Sequence, residues 1–169
     1  MNLAECMALL THNAQTLRQL ASGVTTEQAR WKPNPDSWSI LEVANHLYDE
    51  EREDFRVRLK HILDKVEGLP PAIDPMGWVT ARDYNQRDLD TSIAQFLQER
   101  EASLAWLKTL SDSKWDTAIE TPFGRLSAGD MLVAWVAHDM LHMRQFVELH
   151  YAYFKQQVAP YNVEYAGDW

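Results

Sequence analysis

Cysteine is nearly absent: Cys6 stands alone in 169 residues. No disulfide can form within the chain, which excludes a disulfide-stapled secreted scaffold. Glycine is scarce, at six residues, and long β-branched runs are missing, which argues against an all-β fold. Basic residues are the minority, 16 Lys and Arg against 25 Asp and Glu, for a formal charge of −9. With no basic cluster to neutralise phosphates, nucleic acid is excluded as a partner. The most basic segment, REDFRVRLKH, alternates signs as a solvated helix face does. No apolar run approaches the roughly 18 residues of a membrane span. The N-terminal MNLAECMALL carries Glu5 where a signal peptide would have Lys or Arg. These absences point to a cytoplasmic protein that binds neither nucleic acid nor membrane.

What is present is helical. Apolar residues make up 46% of the chain and charged residues 24%, ordinary values for a single globular domain, here spanning residues 1–169. Asn2, Ser39 and Ser127 each precede an acidic residue by three positions (Glu5, Glu42 and Asp130), the pattern of a capping box. Asp88 or Asp90 can cap a further helix. Apolar periodicity then predicts four helices over about 2–22, 39–66, 89–111 and 127–155. The joints carry prolines, in WKPNPDSW and in GLPPAIDPMGW, and the second connection is too long for a simple bundle turn. TPFGRLS reads as a short extended turn before the last helix. The tail 156–169 is expected to lie packed on the body. The sum is an all-α four-helix bundle with at least one crossover connection.

One stretch does not fit a plain core. In WVAHDMLHMRQ, His142 lies near +40° and Gln145 near −20° of His138 on a helical wheel, with Met131 and Leu149 at the apolar ends of the same stripe. Two imidazoles one turn apart can share one metal ion, but the i, i+4 pair alone is a common pattern and needs a third ligand. The helix at 39–66 offers His46, again between apolar stripe positions. Three convergent imidazoles require these two helices to run parallel if their starts share one end of the bundle. His61 lies about 22 Å along the axis from His46 and cannot join the site; His150 is rotated away; His12 is a weak candidate. Gln145 is read as a contact to a ligating histidine or to substrate.

WSILEVANHLYDEE, followed a hundred residues later by AHDMLHMRQ, resembles the DinB-like superfamily, which includes the YfiT-type proteins. The match runs over nearly the whole chain. The resemblance implies an up-up-down-down bundle with a divalent-metal site whose ligands, carried over, are His46, His138 and His142. It is similar to families that contain thiol-dependent S-transferases and mycothiol-dependent maleylpyruvate isomerases. Many members carry a second histidine just before the last ligand; here that position is Leu141.

Three neutral imidazoles leave a divalent ion its full charge and an open position, the pattern of catalytic zinc. Such an ion can bring the pKa of water down to about 7, or deprotonate a thiol. Zinc is the first choice and nickel also suits imidazole. Glu50, one turn from His46, is the candidate catalytic residue: general base, fourth ligand or acceptor to a ligand, against a bland reading as a solvated member of DEERED. Two functions follow. One is a metal-dependent hydrolase or thiol S-transferase acting on a small molecule, with a low-molecular-weight thiol as a partner in the second case. The other is a metal-containing binding or stress-response module without turnover.

The seven tryptophans are assigned mostly to core, with Trp38 at a pocket mouth and Trp78 and Trp115 as lid candidates. The last helix is apolar behind its histidine stripe as well, at Val136, Met140, Met143 and Val147. That face is expected to be covered by the tail around Tyr161, Tyr165 and Trp169, or by a second copy in a homodimer.

Overall fold

The computed structural model describes residues 2–111 and 113–167. In chain order it forms α1 (Leu3–Ala21), a short α2 (Thr26–Arg30), α3 (Ile40–Glu50), a π turn (Glu51–Phe55), α4 (Arg56–Leu63), α5 (Pro75–Ala81), α6 (Leu89–Leu107), strands β1 (Ala118–Thr121) and β2 (Gly124–Ser127), and α7 (Ala128–Gln157). The expected starts are where the chain turns into helix. Ser39 with Glu42 and Ser127 with Asp130 form reciprocal capping boxes. The Asn2 side chain accepts from the Ala4 and Glu5 amides, and Asp88, not Asp90, caps α6. Each cap satisfies amides that have no partner inside the helix, worth about 1 kcal/mol. TPFGRLS is the turn and second strand of a hairpin, with Thr121 opposite Gly124 and Gly124 at φ +108°, a value that favours glycine.

The four long helices (α1, α3 continued through the π turn into α4, α6 and α7) make the bundle, and their directions follow from paired contacts. Asn13 reaches the Val136 carbonyl and His150 the Leu20 carbonyl, so α1 and α7 run the same way. Ser92 reaches Asn45, Arg100 reaches Glu51 and Arg56 reaches Ser103, so α3–α4 and α6 are parallel. His46 meets His142, His138 meets Glu50 and Trp135 meets Phe55, so α3–α4 and α7 are antiparallel. The order is up-down-down-up. The two histidine helices thus run antiparallel and not parallel as expected, and the order differs from the up-up-down-down order that the resemblance implies. The crossover between α4 and α6 returns the chain to the end where α3 starts, while the hairpin joins α6 to α7 at one end of the bundle.

Two apolar clusters fill the ends. One gathers Leu17, Ile40, Val43, Phe96 and Phe146; the other Leu10, Phe55, Leu59, Ile62 and Trp135. The polar residues discussed next lie between them. On α7, Val136 is buried, but Val133, Met140, Val147 and Phe154, spaced by seven, are 37–53% exposed. The described part of the tail does not cover them as expected: Tyr161 and Tyr165 are 81% and 106% exposed, and Trp169 lies outside the described residues. No helix among the described residues is long and apolar enough to cross a membrane.

Candidate metal centre

The antiparallel crossing brings three imidazoles together. His138 Nε2 lies 3.3 Å from His46 Nε2 and 3.0 Å from His142 Nε2. One ligand atom from each of the three residues falls within 4.8 Å of the others. Glu50 completes the group, its Oε2 at 3.0 Å from His138 Nε2 and 3.7 Å from His46 Nε2. Glu50 is buried, so the solvated reading of this residue is set aside.

The tautomers follow from the surroundings. His142 Nδ1–H donates to Gln145 Oε1 at 2.8 Å, which leaves the Nε2 lone pair facing the other two rings. His46 Nδ1 is buried with no hydrogen-bond partner among the described residues; its ring is held by packing, with the Trp38 ring centroid 4.8 Å away. Phe55 packs on His138 from the far side at 4.8 Å. Burial, reinforced by the neighbouring His138, lowers the pKa of both His46 and His142 to about 3. These two rings are neutral at pH 7, the state in which imidazole binds metal.

Lone pairs this close repel unless a proton or a metal ion lies between them. Around a tetrahedral zinc with Zn–N of about 2.0–2.1 Å, ligand nitrogens stand about 3.3 Å apart. The two separations to His138, 3.3 and 3.0 Å, fit that spacing, with all three ligand atoms within 4.8 Å, and the donor set is the one zinc and nickel favour. The residues present therefore fit a divalent ion.

Two features could not be read from helical spacing. The first is the π turn at Glu51–Phe55. One extra residue in a turn retards all that follow by about 100°. Phe55, which a regular helix would point away from His46, instead stacks on Trp135 with centroids 5.7 Å apart. Asp54 takes the inward place a regular count gives Glu53. It is buried, pairs with Arg58, and burial raises its carboxyl pKa against the pull of Arg58. Glu53 turns outward to Arg82 at 2.8 Å.

The second is Arg100, buried between α1, the π turn and α7. Its guanidinium donates to both oxygens of Glu51 at 2.8 Å, to both of Asp139 at 2.7 and 2.8 Å, and to the Leu10 carbonyl at 2.8 Å. All five donors are used. Burial alone would lower its pKa, but Glu51 and Asp139 together raise it above its ordinary value. Trp135 Nε1–H adds a bond to Glu51 at 2.9 Å. A buried arginine gives no periodic signal, though the Asp between the two histidines of HDMLH was visible.

A cleft of about 560 Å³ opens on one side of His142 and Gln145, walled by Trp38, Met76 and Leu149. Trp38 thus stands where the sequence placed it. Trp115 packs in the apolar cluster with Leu10 and Trp135, and Trp78 lies under Arg82; neither lines the cleft. His61 bonds the Gly68 carbonyl and His150 the Leu20 carbonyl, both away from the centre.

A four-helix bundle with three imidazole nitrogens and a carboxylate turned to one internal point defines a class of protein built to hold a metal ion between its helices. The chain belongs to the DinB superfamily, whose model matches residues 9–146. It is similar in fold to YfiT from Bacillus subtilis, described as a probable metal-dependent hydrolase with an unusual four-helix bundle topology. That match has a TM-score of 0.76 at 22% identity, over 87% of this chain and 85% of that one. No curated protein matches the chain in sequence.

Proposed function

We propose that this protein is a divalent-metal-dependent hydrolase of a small molecule, with His46, His138 and His142 as ligands and Glu50 as general base. The observation that carries the reading is the convergence of three Nε2 atoms beside a buried carboxylate, next to an open cleft. Zinc is the first choice of ion, with nickel second. When bound, the ion supplies a Lewis acid that makes water acidic enough to attack at neutral pH. Glu50 Oε2 takes the proton from the attacking water and returns it to the leaving group. Gln145 fixes the His142 ring, and Trp38 and Phe55 wall off bulk water from His46 and His138. The description of YfiT agrees with this chemistry.

The position of Glu50 supports hydrolysis over thiol transfer in this reading. A thiolate would approach a carboxylate that lies 3.0 Å from His138 Nε2, and like charges repel. The cleft beside His142 gives a non-catalytic module less support, since a site that only stores metal has no use for one. The test uses zinc-loaded protein with p-nitrophenyl acetate and, separately, with glutathione and 1-chloro-2,4-dinitrobenzene. Metal-dependent ester cleavage that falls about 100-fold in Glu50→Gln, with the metal retained, is expected. Conjugation without ester cleavage would move the reading to a transferase; neither reaction would leave a binding module.

The same reading places a second copy of the chain against Val133, Met140, Val147 and Phe154. A seven-residue repeat along one helix is the spacing at which it meets another helix. Light scattering is expected to give a dimer that Met140→Glu converts to monomer; a wild-type monomer would remove the proposal.

A further inference from the structure

The cleft beside the three histidines has a charge pattern of its own. His142 is neutral here, so the cleft's charged lining groups are Asp36 and Glu148, and among the described residues neither Lys nor Arg lines it. Ser37 and Gln145 add neutral polar groups, and the rest of the wall is apolar or aromatic, chiefly Trp38, Met76 and Leu149. Asp36 is exposed and its carboxylate has no partner among the described residues. Among the described residues Glu148 is met only by Arg144, at 3.1 Å, whose side chain is 70% exposed, a contact of the kind water readily replaces. The nearest lysines do not offset these acids. Lys32 and Lys155 line an adjoining groove past Pro33 and Ala152, where Lys32 is held by Glu42 at 2.8 Å and Lys155 lies over Tyr151.

We propose that this cleft selects a substrate with a cationic amine on an apolar body, the amine at the Asp36–Glu148 mouth and the scissile group toward His142. The inference rests on the hydrolase reading above for the second half of that statement; the first half stands on the cleft alone. An aromatic wall and two carboxylates favour an ammonium group, since aromatic rings attract cations and each carboxylate adds a Coulomb term. The same groups repel an anion. A cleft of about 560 Å³ holds a molecule with one ring or a short aliphatic chain. The amine must sit at the mouth because its charge would be opposed by a divalent ion at the three histidines.

The test compares benzylammonium with benzyl alcohol, near-isosteres that differ in charge, by calorimetric titration of zinc-loaded protein at low salt. Benzylammonium is expected to bind about tenfold more tightly, and the double variant Asp36→Asn/Glu148→Gln to bring the two ligands level without weakening benzyl alcohol. Equal affinities in wild type, no binding of either, or a preference that survives the double variant would each overturn the proposal. Repeating the titration on His138→Ala separates the two claims. A preference kept there, with no ester hydrolysis by the wild-type protein, would sink the hydrolase and spare the cleft assignment. Hydrolysis with no preference would do the reverse.

Discussion

Two polar clusters lie one residue apart on the same pair of helices. Glu51 and Asp139 face Arg100; their neighbours Glu50 and His138 face His46 and His142. In the first cluster every guanidinium donor has an acceptor and both carboxylates are doubly engaged. In the second, three ring nitrogens and a carboxylate oxygen crowd together, and one further nitrogen, His46 Nδ1, has no partner among the described residues. Buried polar groups in folded proteins are nearly always satisfied. The satisfied cluster is a strut that fixes the distance between the π turn and α7. The other brings three Nε2 atoms and a carboxylate oxygen to one point, a donor set that suits a divalent ion. Placing them side by side lets the rigid one hold the reactive one in shape.

The comparison can be broken from either side. The largest effect is expected in His138→Ala, whose Nε2 lies between the other two: metal content falls from about one ion per chain to none, and hydrolysis drops at least about 1,000-fold. Elemental analysis of the purified variant checks this. Arg100→Met comes next. Leaving Glu51 and Asp139 buried without their cation is expected to cost about 3–5 kcal/mol. Replacing all three with apolar residues, as Glu51→Met/Arg100→Leu/Asp139→Leu, should recover most of that loss. Chemical denaturation measures both, and a triple variant no better than Arg100→Met would mean the strut is more than a charge balance.

Acid separates the clusters further. In metal-free protein His46 and His142 titrate at about 3, whereas in the unfolded chain they take up protons near 6.5. The unfolded state binds more protons throughout that interval, so stability falls as pH drops from about 6.5 toward 3. Arg100 keeps its charge over the same range. Melting temperatures of chelator-treated protein between pH 7 and 4.5 should show the fall, with a shallower slope in His46→Ala/His142→Ala. Equal slopes would mean these rings are not held neutral. The smallest effect is at Gln145. Gln145→Ala frees the His142 ring and is expected to weaken zinc binding about tenfold without altering the fold, as competition with a chelating dye would report.

Much of this was legible before the fold was known, for local reasons. Caps at Asn2, Ser39, Asp88 and Ser127 are read from residues a few positions apart, and the stripe of His138, His142 and Gln145 obeys the helical repeat. Placing Glu50 toward His46 needed only one turn of regular helix. What stayed hidden is what local spacing does not encode. A π turn leaves no composition signature, so Asp54 and Glu53 exchanged places and Phe55 came inward. The direction of α7 against α3 depends on which end of the bundle each connection reaches. Arg100 reads as an ordinary helix residue until its partners arrive from other segments. Asp36 and Met76 reach the cleft from the α2–α3 connection and from α5, both outside any periodic pattern.

X-ray absorption at the zinc edge, on protein loaded with one equivalent of zinc at pH 7, tests the central claim most directly. Three imidazole nitrogens at about 2.0–2.1 Å from the metal are expected, with one fewer in His46→Ala if any zinc is retained. A shell of oxygen donors alone, or a spectrum unchanged by His46→Ala, would contradict the account.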